Sequence, residues 1–372
     1  MGWPYTSGIN ERSAYYMSRA SDPALLVRTL MQAGHHAPSA DNSQPWRFYW
    51  DGERLSVKYD GQRVSGRTFG PEEHATLLAM GAVKENIVQM AHFLDADLEP
   101  LKVEIPNDSQ AYFQFTLKSS PKQTKQTREH SLFQRHTNRF PYDSKPIPSE
   151  IVESLNGMSQ GQCHALIFAD REMIKKIARW VRIASEVRFQ SRDIHEFLGQ
   201  SLRFTPEEAT EGDGLDVRTL PLPPGGRTFL RFIKDWHRLA FLNRFGLYKI
   251  LALTEAKPIS QAQTLLAIAG PDNSSDALDA GILMERIWIN LNSHGIAVHP
   301  YYVVTDQLQR LKARKIPTKL NPGIQAVESE SATILNSKND SIHMLFRIGY
   351  PKKQPIRSLR LPSEKIIEFI QP

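Results

Sequence analysis

Three short segments, far apart in a chain of 372 residues, carry side chains suited to a flat, phosphorylated ligand. The first is HAPSADNSQPWRFYW, residues 36–50. Pro38, Ser39 and Ala40 offer almost no side-chain bulk there, so backbone can approach a planar ring closely. Asn42 and Gln44 each donate and accept hydrogen bonds and suit the polar edge of such a ring. The second is RHTNRF, residues 135–140. In an extended segment side chains alternate, so Arg135, Thr137 and Arg139 share a face and offer two guanidiniums and a hydroxyl to a phosphate. Alone, it reads equally well as an ordinary basic surface strand. The third lies near the C-terminus, where Arg357, Ser358 and Arg360 repeat the basic-and-hydroxyl pattern.

Other chemistries lack their residues. No G-x-G-x-x-G follows a strand, and there is no G-x-x-x-x-G-K-[ST], H-E-x-x-H or G-x-S-x-G. His35 and His36 are adjacent and point in different directions on a helix. With no third ligand nearby they do not suggest a metal site, and neither do His294 and His299. Cys163 is the only cysteine, which excludes an intrachain disulfide and fits a reducing compartment. Within CHALIF it reads as a small buried apolar residue.

Taken together and in this order, the segments resemble those of the flavin-dependent nitroreductase family. HAPSADNSQPWRF is similar to its A-P-S-x-x-N-x-Q-P-W block, and RHTNRF to its phosphate-binding R-x-[ST]-x-R segment. FRIGYPKKQPIRSLRLP is similar to its terminal segment, and HPYYVV stands where the family has a Pro-containing loop under flavin N5. In ordinary members the phosphate segment precedes the A-P-S block and two identical chains share each site. Here the order is reversed, which resembles the tandem-fused, Acg-type branch in which one chain imitates the dimer. The resemblance implies an α+β, nitroreductase-like fold: two tandem halves forming an intrachain pseudo-dimer, with a helical or irregular lid insertion. It implies one FMN per chain, because NGMSQGQCHAL and NERSAYYMSR are degenerate counterparts of the two blocks. Pro38, Ser39, Ala40, Asn42 and Gln44 would lie along the ring. Arg135, His136, Thr137 and Arg139 would hold phosphate and the pyrimidine edge, Pro300, Tyr301 and Tyr302 would back the ring, and Arg357 and Arg360 would complete the phosphate cage. Flavin N5 would then carry hydride or electrons to or from a small or peptide-bound substrate, with NADH or NADPH as a possible donor and no catalytic side chain. An FMN-storing or sequestering protein without turnover is the alternative.

These residues need elements to hold them. PALLVRTLMQAG (23–34) has helical spacing, and RFYWDGERLSVKYD reads as a hairpin turning at Asp51-Gly52. HATLLAMGAVKENIVQMAHFLDAD (74–97) reads as a long apolar helix in which Ala79, Gly81 and Ala82 admit a close neighbour. PLKVEI and AYFQFTL read as strands. Residues 118–130 are polar and basic and read as a linker between a first half (1–117) and a second (131–372). In the second half, PIPSEIVESLNGM and EMIKKIARWVRIASEVRF read as helices and CHALIFAD and IHMLFRIGY as strands, with AVHPYYVV a short strand broken by proline. DALDAGILMERIWINLNSHGI (276–296) is a second core-type helix ended by Gly295, and its likeness to segment 76–94 hints at duplication. Residues 190–275 read as an irregular, lid-like insertion. Its Phe229, Phe232, Trp236, Phe241 and Phe245 either cap the substrate side or pack on the core.

Composition bounds the rest. The chain is 40% hydrophobic and 23% charged, enough for a sizeable core. A net charge of +6 is mildly basic and fits either a solvated surface or attraction to anions. No recognition helix, aromatic-and-basic platform or zinc finger points to nucleic acid. Neither a signal segment nor 18 uninterrupted apolar residues is evident, so the expectation is a cytoplasmic protein with no membrane partner, a monomeric pseudo-dimer or a homodimer.

Overall fold

The computed structural model describes residues 23–101, 111–119, 127–335 and 339–370. The segment NERSAYYMSR, most of the expected linker and the end of PLKVEI lie outside the described residues. Helix α1 (Pro23–His35) buries Leu26, Val27, Leu30 and Met31. Strands β1 (Trp46–Trp50) and β2 (Arg54–Tyr59) follow. They turn where Gly52 takes φ 95°, and the Asp51 carboxylate accepts the N–H groups of Glu53 and Arg54 at 3.0 and 2.7 Å. Helix α2 (His74–Phe93), β3 (Asp97–Leu101) and β4 (Ala111–Ser119) complete this part.

Beyond it come α3 (Ser149–Asn156), β5 (Ser159–Gln160), β6 (Cys163–Phe168), α4 (Arg171–Arg188) and α5 (Arg192–Ser201). A small parallel pair, β7 (Leu202–Arg203) and β8 (Leu215–Asp216), precedes α6 (Gly226–Ile233), α7 (Trp236–Asn243) and α8 (Leu247–Ser260). Then come β9 (Thr264–Pro271), α9 (Ser274–Ser293), β10 (Ala297–Tyr301), α10 (Val303–Lys312), α11 (Asn321–Ile334), β11 (Asp340–Gly349) and β12 (Ile367–Phe369).

The architecture is α+β, with two five-stranded sheets ordered β12-β1-β2-β4-β3 and β10-β11-β9-β6-β5. Read from the first hairpin, β1-β2-β4-β3 and β6-β9-β11-β10 are the same antiparallel arrangement. The chain therefore builds one motif twice. The difference lies between the paired strands: a tight turn joins β1 to β2, whereas residues 169–263 separate β6 from β9. This corrects the expected insertion 190–275. Residues 264–271 form the central strand β9, buried on both faces, and 276 onward belongs to α9. A strand covered on both sides shows no alternation, so nothing in its sequence marked it off from the irregular stretch before it. Pro300 sits in β10, at a sheet edge, where a missing N–H costs no ladder bond.

Helices α2 and α9 carry equivalent residues and cross face to face. A β-carbon on Gly81 would lie 2.1 Å from the Leu278 carbonyl oxygen, and one on Gly281 would lie 2.2 Å from that of Leu78. One hydrophobic core runs through this crossing and includes residues of both sheets, among them Trp46, Phe48 and Phe346, together with Trp288 of α9. A second core lies under α4, α10 and α11. At the α2–α9 interface Glu85 pairs with Arg286 at 2.9 Å, while the equivalent Glu285 faces Arg135 at 2.8 Å. Finally, the C-terminal strand crosses back, and β12 pairs in parallel with β1.

No rotamer change relieves a clash with a backbone oxygen, so Gly81→Ala must push the two helices apart. It is expected to lower the free energy of unfolding by about 3 kcal/mol in denaturant titrations, at the upper end of overpacking costs. Gly61→Ala, whose new carbon would sit 3.6 Å from the Tyr59 ring, serves as the near-neutral control.

Candidate functional site

A cavity of about 2610 Å³ opens between the two sheets' helices and beneath the insertion. Pro38, Ser39, Ala40 and Asn42 line it from the loop after α1, and Arg135, His136, Thr137 and Arg139 from the segment before α3. Pro300, Tyr301 and Tyr302 line it from the end of β10, and Arg357 and Arg360 from the C-terminal crossing segment. Gln44 alone among the residues expected to hold the cofactor does not line it.

The reason is visible in the loop. Asp41, Asn42 and Gln44 have φ of 47°, 58° and 49°, a left-handed backbone that costs energy without glycine and needs outside support. Arg63 supplies part of it, donating to the carbonyls of Ser43 (2.9 Å) and Gln44 while paired to Asp60 at 3.0 Å. Gln44, fully buried, donates to the Asn42 and Gly212 carbonyls at 3.0 and 2.9 Å and accepts from the Leu361 N–H at 3.0 Å. Its amide is spent on the scaffold, which corrects the expectation that it lies along a ring. Asn42 borders the cavity, yet its amide donates to Gly212 and Leu359 at 3.2 and 3.1 Å and accepts from Arg360. His35 serves the same end. Its Nδ1 accepts from Trp46 Nε1 at 3.1 Å, its Nε2 donates to the Leu361 carbonyl at 2.9 Å, and burial pulls its pKa down to about 3. The loop and the crossing segment are thus sewn together.

Three guanidiniums converge beside this seam. Arg135 donates to the His36 carbonyl at 2.8 Å, stacks 4.7 Å from the Trp288 ring and faces the buried Glu285. Arg360 donates to the carbonyls of His36 and Ala37 at 3.0 and 2.9 Å, and Arg357 to that of Phe133 at 3.0 Å. Burial and then the neighbouring Arg135 pull Arg360 down to about 9, and the same causes lower Arg357. Glu285 is the carboxylate set against them, and burial pushes it up to about 7 against the pull of Arg135. Three guanidiniums with a single acid leave a surplus of positive charge, which suits an anion such as a phosphate monoester. Nearby, the buried His299 Nδ1, also on the cavity, has no hydrogen-bond partner among the described residues.

The segment carrying Arg135 and Arg139 runs beside β10, bridged at Thr137 to Val298 and anchored by the fully buried Asn138, which donates to the Lys353 carbonyl at 2.9 Å. Arg139 has no hydrogen bond or ion pair among the described residues, and the ring of His299 lies near its charge. At the other end, Tyr302 precedes α10, whose first N–H groups have no partner inside the helix. A chain of hydrogen bonds fixes its side chain. The Pro271 carbonyl accepts from His343 Nε2 at 3.1 Å, so His343 Nδ1 accepts from His74 Nε2 at 2.8 Å. His74 Nδ1 in turn accepts the Tyr302 hydroxyl at 3.1 Å. Burial holds His74 near 3 and so keeps the relay neutral.

Several cavity residues escaped sequence reasoning. Asp41 faces Arg139 and Arg188, with burial raising its carboxyl. Burial likewise lifts Asp306 to about 6 against Arg310 and Arg188. Nothing local marked either. Glu285 had a signal, an acid inside the apolar run GILMERIW, where only a partner justifies it. The insertion walls the cavity through Leu222, Leu230 and Ile233 rather than through the aromatics proposed for that role. Phe229, Phe232, Phe241 and Phe245 are exposed, and the Trp236 ring lies tilted against that of His195, 5.7 Å between centroids.

No family model matches the chain. A curated relative, uncharacterized protein MT1398 of Mycobacterium tuberculosis (strain CDC 1551 / Oshkosh), is 24% identical over 285 residues, 75% of this chain. The chain spans 39% of that relative's length. Among solved structures it is similar to a nitroreductase with bound FMN from Bacteroides fragilis NCTC 9343 (13% identity, 61% of this chain and 93% of that one, TM-score 0.34). It is also similar to the FMN-dependent nitroreductase NfnB from Mycobacterium smegmatis in complex with NADPH (12%, 64% and 95%, TM-score 0.37).

Because Glu285 is raised on folding, it binds more protons in the folded than in the unfolded chain between the ordinary glutamate range and about pH 7. Its contribution to stability therefore falls as pH rises through that window and is flat above it. Urea unfolding of wild type and Glu285→Gln at pH 5, 6 and 7.5 should show the difference turning against wild type up to about pH 7. An unchanged difference would mean that Glu285 stays ionised beside Arg135.

Proposed function

We propose that the chain is an FMN-dependent oxidoreductase of the nitroreductase-like type, built from tandem halves (1–117 and 131–372, joined by 118–130) that share one cofactor site. The observation that carries this reading is the convergence of Arg135, Arg357 and Arg360 against the lone acid Glu285, at one end of a cavity bordered by Pro38, Ser39 and Ala40. A flavin mononucleotide ends in a phosphate monoester carrying nearly two negative charges, the group that such a surplus of guanidinium charge suits. The residues present fit the cofactor.

In this reading Arg135, Arg357 and Arg360 hold the phosphate. Pro38, Ser39 and Ala40 lie along the isoalloxazine, with Asn42 and Gln44 bracing their loop from behind. His136, Thr137 and Arg139 meet the pyrimidine edge. Pro300, Tyr301 and Tyr302 back the ring, and the N–H groups that open α10 face it. When bound, FMN supplies hydride or electron transfer through N5, and the protein supplies binding, orientation and a shaped cavity. The apolar wall of Leu222, Leu230 and Ile233 excludes water from the substrate side. Of the solved structures it is similar to, one holds bound FMN and the other is an FMN-dependent nitroreductase in complex with NADPH; in this reading a nicotinamide is the donor and the acceptor is a small or peptide-bound molecule. The cavity also exceeds the roughly 300–1,000 Å³ usual for one small ligand, so a substrate has room beside the cofactor. That volume speaks against a protein that only stores flavin.

The purified protein should show a flavin absorption spectrum that anaerobic NADPH or NADH bleaches. A spectrum bleached only by dithionite would favour storage, and a protein that stays colourless after added FMN would sink the proposal. Arg360→Gln should weaken FMN at least about tenfold while leaving riboflavin affinity nearly unchanged, since one charge-assisted contact to phosphate is worth about 1.5–3 kcal/mol. Equal loss for both ligands would move Arg360 out of the phosphate cage.

A further inference from the structure

Helices α6, α7 and α8 carry an unusual outer surface. Phe229 and Phe232 lie one turn apart on α6 and are 41% and 47% exposed. Phe241, on α7, and Phe245, just beyond it, are 56% and 77% exposed with their rings 5.5 Å apart. Ile250 and Leu253 repeat the spacing on α8, also more than half exposed. Each of three successive helical segments thus presents a large apolar doublet to solvent, and no other described helix does so.

The exposed charges among them are predominantly of one sign. Arg227, Arg231, Lys234, Arg238, Arg244, Lys249 and Lys257 are exposed in the same stretch, against Asp235 and Glu255. Asp235 caps α7, and Glu255 is taken by Arg188 at 2.6 Å. None of the seven cations has an ion pair among the described residues. Some lie on the apolar residues themselves, with Arg238 4.9 Å from the Phe232 ring. Bulky apolar side chains rimmed by unpaired basic ones are what a helix needs to rest at a lipid–water boundary, its rings among acyl chains and its cations at acidic headgroups.

We infer that the outer face of α6–α8 docks the protein peripherally on an anionic membrane surface. Charge decides the occupant. A second copy of this chain would set one basic face against another, and residues 1–22 carry Glu11 and Asp22 against Arg12 and Arg19, with no acidic surplus to offer. Nucleic acid would satisfy the cations and leave the aliphatic and phenyl groups wet. The expectation of no membrane partner rested on the lack of a spanning run. No described helix is long and apolar enough to cross a membrane, and lying on the surface requires none. The same segment walls the cavity through Leu222, Leu230 and Ile233, so docking sets that wall toward the lipid. The inference is independent of the flavin reading.

The test is flotation of the full chain with vesicles of phosphatidylcholine alone and of phosphatidylcholine with phosphatidylserine. Binding at least tenfold stronger to the anionic vesicles, weakened by added salt, is expected. Phe241→Ala with Phe245→Ala, and separately Arg231→Glu with Arg238→Glu, should each abolish it at an unchanged melting temperature, since all four side chains are exposed. Failure to bind either vesicle, or binding indifferent to both double variants, overturns the inference. So would a concentration-dependent dimer, or retention on heparin, that the phenylalanine variant removes while vesicle binding is absent.

Discussion

Where α2 and α9 cross, Gly81 and Gly281 leave no side chain between the helices, and each backbone touches a carbonyl of the other. This contact orders the rest of the molecule. It lets the two sheets share one core, and it brings the N-terminal loop of one half beside the 135–139 segment and β10 of the other. It also sets Glu285 one helical turn beyond Gly281, where Arg135 can meet it. Wider spacing would admit water to that pair and part the residues bordering the cavity. The cost of two glycines inside long helices is conformational entropy, roughly 1 kcal/mol each against alanine.

The C-terminal crossing segment closes what the helices bring together. It carries Arg357 and Arg360 to the cavity and ends as β12 against β1, while Gln44, His35 and Asn42 all spend polar groups on its backbone between Leu359 and Leu361. A strained loop and a segment without regular structure hold each other. Neither has enough apolar surface to stay put alone, so polar contacts buried from water do the fixing.

Much of this arrangement was legible in the chain. The hairpin at Asp51-Gly52, both long helices and the phosphate-suited segments have local signatures, because turn chemistry and periodicity act over a few residues. The small residues of segment 74–97 announced a close neighbour, and the neighbour is the helix whose likeness to it hinted at duplication. What stayed hidden depends on distant partners. Nothing near β9 distinguishes a doubly covered strand from the segment before it. Gln44 looks ligand-ready in sequence because its three partners lie at Asn42, Gly212 and Leu361, two of them far along the chain. Asp41 and Asp306 owe their character to burial against arginines from other elements.

The repeated motif has a further consequence at Glu85 and Glu285. In a pair of identical chains a substitution lands twice, once on each side of the symmetry axis, and both sites must tolerate it. A single chain escapes that constraint. Here one of the equivalent acids keeps Arg135, which lines the cavity, while the other is neutralised by its own neighbour across the crossing, Arg286. One copy of the motif can drift toward pure scaffolding, or toward accommodating an inserted group of helices, without any change in the other. Asymmetry of this kind is a freedom that comes with continuity of the backbone.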